Sequence, residues 1–93
     1  MQQDLVVGID SSTTATKAIA FDRRGRVIAE GRAKIALANP HPGHFEQDAL
    51  EWWSSLVTAL KSLSTQIATE RVAAFAISNQ RETFVPLTRD GVP

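Results

Sequence analysis

Leu5-Val6-Val7-Gly8-Ile9 is an unbroken apolar run that stops at Asp10-Ser11-Ser12-Thr13-Thr14. A strand with one wet face alternates apolar and polar residues, whereas a continuous run belongs to a strand covered on both faces, as in α/β sheets. The small polar residues behind it are turn formers. The chain is therefore expected to open with a buried strand that delivers a polar loop at its carboxyl end.

From Thr16 to Phe21 the apolar pattern resumes, with Ile19 and Phe21 two apart, and then meets Asp22-Arg23-Arg24-Gly25, the composition of a tight turn. Another strand is expected from Arg26 to about Leu37. These segments predict a three-stranded antiparallel meander whose first two strands are joined by the Ser/Thr loop. Ala38-Asn39-Pro40-His41-Pro42-Gly43-His44 is expected to be irregular surface loop, because its two prolines remove donors and fix φ. His41 and His44 have no further ligand pair beside them, so they read as loop residues and not as a zinc site.

Trp52, Trp53, Leu56, Val57, Leu60, Leu63 and Ile67 recur at helical spacing, which predicts one apolar stripe, with Asp48 as N-cap and Glu51 as its capping-box partner. Consecutive residues point about 100° apart on a helix, so the two tryptophans cannot form a stacking platform together; core packing is the expectation. Val72 to Ser78 reads as a strand parallel to the first, reached by a right-handed crossover that packs the helix onto the meander. Asn79-Gln80-Arg81-Glu82-Thr83 follows as a polar loop. Phe84 to Leu87 then reads as a return strand, placed at an edge or bulge by Pro86, before the turn Arg89-Asp90-Gly91.

A chain of 93 residues with 43% hydrophobic residues has room for one small core and no second domain. Ten Lys and Arg balance ten Asp and Glu, so no single-sign field exists to attract nucleic acid, and the cluster Arg23, Arg24, Arg26, Arg32 and Lys34 reads as a solvated edge. Without cysteine there is no disulfide or thiolate chemistry. The sequence offers neither a signal peptide nor an apolar stretch of the ~20 residues that span a bilayer, so a cytoplasmic protein with no membrane partner is expected.

The first loop carries the most chemistry. A carboxylate (Asp10), small hydroxyl residues including Thr13 and Thr14, and Lys17 stand behind one strand, and phosphate chemistry uses all three. Turn amides and hydroxyls donate to phosphate oxygens, a carboxylate holds Mg²⁺ through its water shell, and a lysine adds a point charge. Spacing alone leaves open the alternative that Asp10 and Ser11 satisfy turn amides and Lys17 is solvated. The glycine spacing of a P-loop is absent. In the later loop, Arg81 offers a fork of donors and Glu82 accepts from hydroxyls, with an exposed ion pair as the alternative.

Gly8-Ile9-Asp10-Ser11-Ser12-Thr13-Thr14-Ala15-Thr16-Lys17 is similar to the first phosphate motif of FGGY carbohydrate kinases. Gly43-His44-Phe45-Glu46-Gln47-Asp48 with Glu51-Trp52-Trp53 resembles the family's Glu-Gln-Asp-Pro stretch before a tryptophan-bearing helix, and Ile77-Ser78-Asn79-Gln80-Arg81-Glu82-Thr83 resembles a segment of glycerol kinases. The three lie in the family's order and cover essentially the whole chain. Ser12 stands where glycerol and xylulose kinases commonly have glycine, and Ala49 where proline usually follows the acidic residue.

The resemblance implies an α/β fold: the N-terminal part of a ribonuclease H-like, actin-like ATPase domain, with an antiparallel three-strand meander, a crossover helix and further strands. Residues 1–93 would be a partial N-terminal domain of a kinase that moves the γ-phosphate of ATP to a sugar or polyol hydroxyl. Asp10 would hold Mg²⁺ through water; Thr13, Thr14 and Lys17 would line the phosphate path; Arg81 and Glu82, with Gln80 as a weaker contact, would meet the acceptor. The family takes its general base and most of its adenine site from later sequence, so the segment alone is expected to be inactive and to need the rest of the parent chain.

The sequence also admits two other readings. A ribonuclease H-type nuclease needs several carboxylates around two metal ions. Asp10 and Glu51 do not complete that set, and Asn79 stands where an acid is required. A non-catalytic module that self-associates through exposed sheet edges, giving a homo-oligomer, fits the short length.

Overall fold

Alternation along the first three strands decides which face of the sheet is dry. The computed structural model describes residues 2–12, 14–35, 38–41, 44–46, 49–79 and 88–91. In it β1 (Leu5–Ser11), β2 (Ala15–Phe21) and β3 (Val27–Lys34) form the expected antiparallel meander. Leu5, Val7 and Ile9 of β1, Thr16, Ala18 and Ala20 of β2, and Ala29 of β3 are buried on one face. The turn between β2 and β3 is built as its composition suggests. Asp22 Oδ1 accepts from the amides of Arg24 (2.9 Å) and Arg26 (3.0 Å), while Gly25 takes the φ of +78° that a side chain would resist.

The dry face is floored with small residues, and that floor determines how the helix sits. Helix α1 (Ala49–Ser64) lies across β2 and β3 and turns Ser55, Ala59 and Leu63 inward. A Cβ built on Gly31 would fall 2.0 Å from the carbonyl oxygen of Ala59, so helix and strand backbones are in direct contact there. The expected stripe is therefore corrected. Trp53 is 68% exposed, Leu60 is also exposed, and the centre of the buried line passes through Ser55 and Ala59, which the hydrophobic pattern left out. Close approach requires small side chains at the contact, and the bulky residues are displaced to its flanks. Core packing thus fails for Trp53, while Trp52 is half-buried. The proposed cap Asp48 lies outside the described residues.

After a short 3₁₀ turn (Thr69–Arg71), β6 (Val72–Asn79) runs parallel to β1, as expected, giving the strand order β3-β2-β1-β6. The helix does not reach over β6. Phe75 and Ile77, register partners of Val7 and Ile9, are 67% and 56% exposed, and Val7, Ile67, Val72 and Phe75 border an open apolar groove of about 310 Å³.

The segment expected to be irregular is instead a small hairpin, β4 (Ala38–His41) with β5 (His44–Glu46). Its register shifts between the pairs Ala38↔Glu46 and His41↔His44, and Pro40 sits in that interval. A two-stranded ribbon has free edges, and an irregular register accommodates a residue without an N–H. The return strand proposed for Phe84 to Leu87 lies outside the described residues. The last turn is present: Gly91, at φ +82°, donates its amide to Thr88 O at 2.9 Å.

Candidate functional site

Parallel pairing of β1 and β6 in register sets Ser11 beside Asn79, so both strands end at one rim of the sheet. In open α/β sheets this carboxyl rim is where ligands bind. β1 ends there at Ser11, ahead of the turn to β2, and β6 ends beside it at Asn79, the residue that precedes Gln80 in the sequence.

The frame of the first loop is held at several points. The Ser12 amide and the Ser12 hydroxyl both donate to Ala15 O at 2.9 Å, closing the β1–β2 hairpin. Thr14 O accepts from the Ile35 amide at 2.9 Å, which ties the loop to the end of β3. Directly behind it, Thr16 Oγ1 is 2.8 Å from Ser55 Oγ in the interior, and Ser55 Oγ donates to Trp52 O at 2.9 Å. With the Ser55 proton committed to that carbonyl, the Thr16 hydroxyl donates to Ser55. This is a satisfied polar link between β2 and α1, and it fixes Lys17, the next residue, by fixing its neighbour.

Register places the charged residues in one row. Asp10 pairs with Lys17 across β1 and β2, Asp10 with Ser78 across β1 and β6, and Lys17 with Arg32 across β2 and β3. Since Ile9, Thr16 and Gly31 face the helix, the row Ser78, Asp10, Lys17, Arg32 occupies the opposite face, close to the rim. Asp10, Arg32 and Ser78 are exposed and Lys17 is half-buried. None of the three charged members forms an ion pair among the described residues.

Of the sequence-derived site residues, Asp10, Thr14 and Lys17 are thus on or beside this rim, with Thr14 exposed at the loop. Thr13, Gln80, Arg81 and Glu82 lie outside the described residues. Among the described residues no group of three or more acidic, histidine or cysteine side chains is poised to hold a metal directly. One exposed carboxylate without an ion pair suits an ion held through its water shell, and does not suit a bare ion.

Among the described residues two carboxyls away from the rim, those of Asp4 and Asp22, have structural partners that perturb them. Arg71 Nε and Nη2 donate to the two oxygens of Asp4 at 2.8 and 2.6 Å, a fork that joins the 3₁₀ turn to the entry of β1. Hydrogen bonding from Arg71 holds the Asp4 carboxyl below its ordinary value of 3.8. The Asp22 carboxyl is lowered too, first by the Arg26 amide. Sequence reading missed the Asp4–Arg71 fork and the Thr16–Ser55 bond. Only the second left a local trace, since period-two alternation puts the hydroxyl of Thr16 on the face of Ala18 and Ala20.

Residues 5–93 match the model of the FGGY family of carbohydrate kinases, N-terminal domain. This chain belongs to that family. A glycerol kinase of Ligilactobacillus salivarius is 36% identical over 87 residues, covering 91% of this chain and 17% of the relative. An apulose kinase of Pectobacterium atrosepticum is 37% identical over 85 residues, with 91% and 17% covered. The crystal structure of a xylulose kinase from Rhodospirillum rubrum superposes with a TM-score of 0.88 at 29% identity, over 95% of this chain and 18% of that one. The chain therefore spans under a fifth of the length of these FGGY relatives. Its sheet and helix match the N-terminal domain of sugar kinases with the actin-like ATPase fold, as the resemblance implied. No described helix is long and apolar enough to cross a membrane.

Proposed function

We propose that this chain supplies the first phosphate loop and the first acceptor loop of an ATP-dependent kinase whose acceptor is the hydroxyl of a small polyol or sugar. The observation that carries the reading is the shared rim. Asp10 and Lys17 are register partners at the end of β1, and Ser11 pairs with Asn79, the last residue of β6 and the one immediately before Gln80, Arg81 and Glu82.

Each residue has a defined task in such a transfer. Lys17 presents a positive charge toward the moving phosphoryl group, and Thr13 and Thr14 donate hydroxyl and amide hydrogen bonds to its oxygens. Asp10 would hold Mg²⁺ through the ion's water shell. When bound, that ion neutralises charge on the phosphate oxygens. Arg81 donates to acceptor oxygens while Glu82 accepts from neighbouring hydroxyls, which orients one hydroxyl for in-line attack, with Gln80 in a supporting position. In the transfer the bond from the γ-phosphorus to its bridging oxygen breaks as the acceptor oxygen bonds to phosphorus. The hydroxyl proton passes to a general base supplied by later sequence.

The test uses the parent kinase that contains this segment, with ADP release measured against glycerol and pentuloses. Arg81→Ala is expected to raise KM for the acceptor about ten- to a hundredfold while leaving that for ATP within about threefold. Asp10→Asn is expected to lower kcat by about a hundredfold or more. An Arg81→Ala enzyme with an unchanged acceptor KM would remove the acceptor half of the reading, and an active Asp10→Asn enzyme the phosphate half. The 93-residue chain by itself is expected to show no turnover, so phosphorylation by the purified chain would refute its assignment as a partial domain.

A further inference from the structure

We infer that Arg32 is a second anion-holding cation of the phosphate site, acting beside Lys17; this rests on the phosphate reading of the β1–β2 loop and extends it to β3. Lys17 and Arg32 are direct cross-strand partners on the face turned away from α1. Side chains in that relation have their Cβ atoms about 4.5–5.5 Å apart, and like charges so placed repel. A strand pair normally avoids this or inserts a counter-charge.

The available counter-charges are few. Asp10 lies on the far side of Lys17, and Glu30 lies two residues before Arg32, opposite Ile19. Neither carboxylate forms an ion pair with Lys17 or Arg32 among the described residues. Lys34, next but one after Arg32 and also exposed, adds a third positive charge to the same face. By contrast, Arg26 and Arg71, which do have structural work, are each forked or paired onto an aspartate at 2.6–2.8 Å.

Position distinguishes Arg32 from the other exposed arginines as well. Arg23 and Arg24 sit in the turn at the opposite end of β2, whereas Arg32 is level with Asp10 and Lys17 near the rim. Thr14, whose carbonyl is tied to Ile35, lies just beyond them. An oligophosphate on this rim would lie over the Lys17–Arg32 pair and convert its repulsion into two charge-assisted contacts. A planar guanidinium with five donors suits tetrahedral phosphate oxygens better than a second lysine would. The ligand class is thus a phosphoanhydride chain and not a carboxylate-bearing acceptor.

The experiment titrates tripolyphosphate into the ¹⁵N-labelled 93-residue chain and follows amide shifts, with thermal melting of each variant in the absence of anion. Wild-type shifts are expected on both sides of the pair, at Ala15 to Lys17 and at Gly31 to Ala33, along one saturation curve. Arg32→Gln is expected to weaken binding about five- to tenfold, with Arg32→Lys in between and the control Arg26→Gln unchanged. The anion-free melting temperature of Arg32→Gln should equal or exceed that of wild type, because a repulsion is relieved. A purely structural arginine would not give that result, so a lowered melting temperature overturns the inference. Retained affinity in Arg32→Gln with loss in Lys17→Gln overturns it while leaving the phosphate reading intact. Absence of shifts near Thr14 to Lys17 overturns both.

Discussion

Gly31→Ala gives the sharpest test of how this domain is assembled, because two physical considerations predict opposite signs. By conformational preference alone, replacing a glycine inside a strand by alanine should stabilise the protein by roughly 0.5–1 kcal/mol. Packing reverses this. The new methyl would stand 2.0 Å from Ala59 O, 2.8 Å from Leu63 N and 3.0 Å from Ala59 C. All three are helix backbone atoms, so no rotamer change relieves the overlap, and α1 has to withdraw by more than roughly an ångström to reach ordinary contact distance. Withdrawal loosens Ala59 and Leu63 against Ala18, Ala20 and Ala29 and stretches the 2.8 Å Thr16–Ser55 bond.

Overpacking of this kind costs about 1–3 kcal/mol, and a weakened interior hydrogen bond adds about 1. The expected loss is therefore about 3 kcal/mol, from a total of roughly 5–14 kcal/mol for a chain of this size. Equilibrium urea unfolding, followed by circular dichroism, reads it as a fall in midpoint at nearly constant slope. Since the clash is with main chain, adding Ala59→Gly should not restore the midpoint. A Gly31→Ala protein as stable as wild type, or rescue by Ala59→Gly, would show that helix and sheet are not in backbone contact.

Three smaller perturbations probe other joints. Ser55→Ala leaves the buried Thr16 hydroxyl without its partner and should cost about 1–3 kcal/mol in urea unfolding, whereas Thr16→Val, which leaves Ser55 bonded to Trp52 O, should cost less; equal costs would contradict the assigned donor direction. Arg71 holds the folded Asp4 carboxyl below 3.8, so the stability it contributes is present above that value and disappears as pH falls through the lowered one. Asp4→Asn should accordingly melt below wild type near neutral pH, with the gap closing in acid. A gap that did not narrow as the pH fell below 3.8 would place the effect elsewhere. Gly25→Ala meets no atom within 4 Å but keeps a φ of +78°, so it should cost about 1 kcal/mol from backbone strain alone, and Gly25→Asn less, in thermal melts.

What could be read in advance was what local pattern encodes. The unbroken run Leu5 to Ile9 and the apolar Val72 to Ser78 announced two strands that pair in parallel, although the expected cover on both faces is not seen among the described residues, where Val6 is 46% exposed; Asp22 with Gly25 announced the turn between β2 and β3. The buried helix face was misread because hydrophobic spacing ranks residues by the area they can bury. Its position was set instead by the shortest approach to Gly31, a residue on another element. The β4–β5 hairpin was missed because prolines count against a ladder locally, although a ribbon can place one where the register slips. The Thr16–Ser55 and Asp4–Arg71 contacts join residues 39 and 67 positions apart, and no local signal marks both partners.

The row of site residues shows where the boundary between the two kinds of information falls. Once Ser12 bonds to Ala15, the two-residue gap between them dictates that Asp10 faces Lys17, so half of the row follows from the length of the Ser/Thr loop. Arg32 does not follow from the corresponding argument. Counting back from Phe21↔Val27 without interruption would set Lys17 against Gly31 and turn Arg32 toward the helix. The ladder slips by one residue between Ala20 and Phe21, and that slip moves Gly31 onto the helix face and Arg32 onto the face of Lys17. One irregularity thus supplies both the glycine that α1 requires for close packing and the cation beside the proposed phosphate path. A variant that removed the slip would have to lose both together.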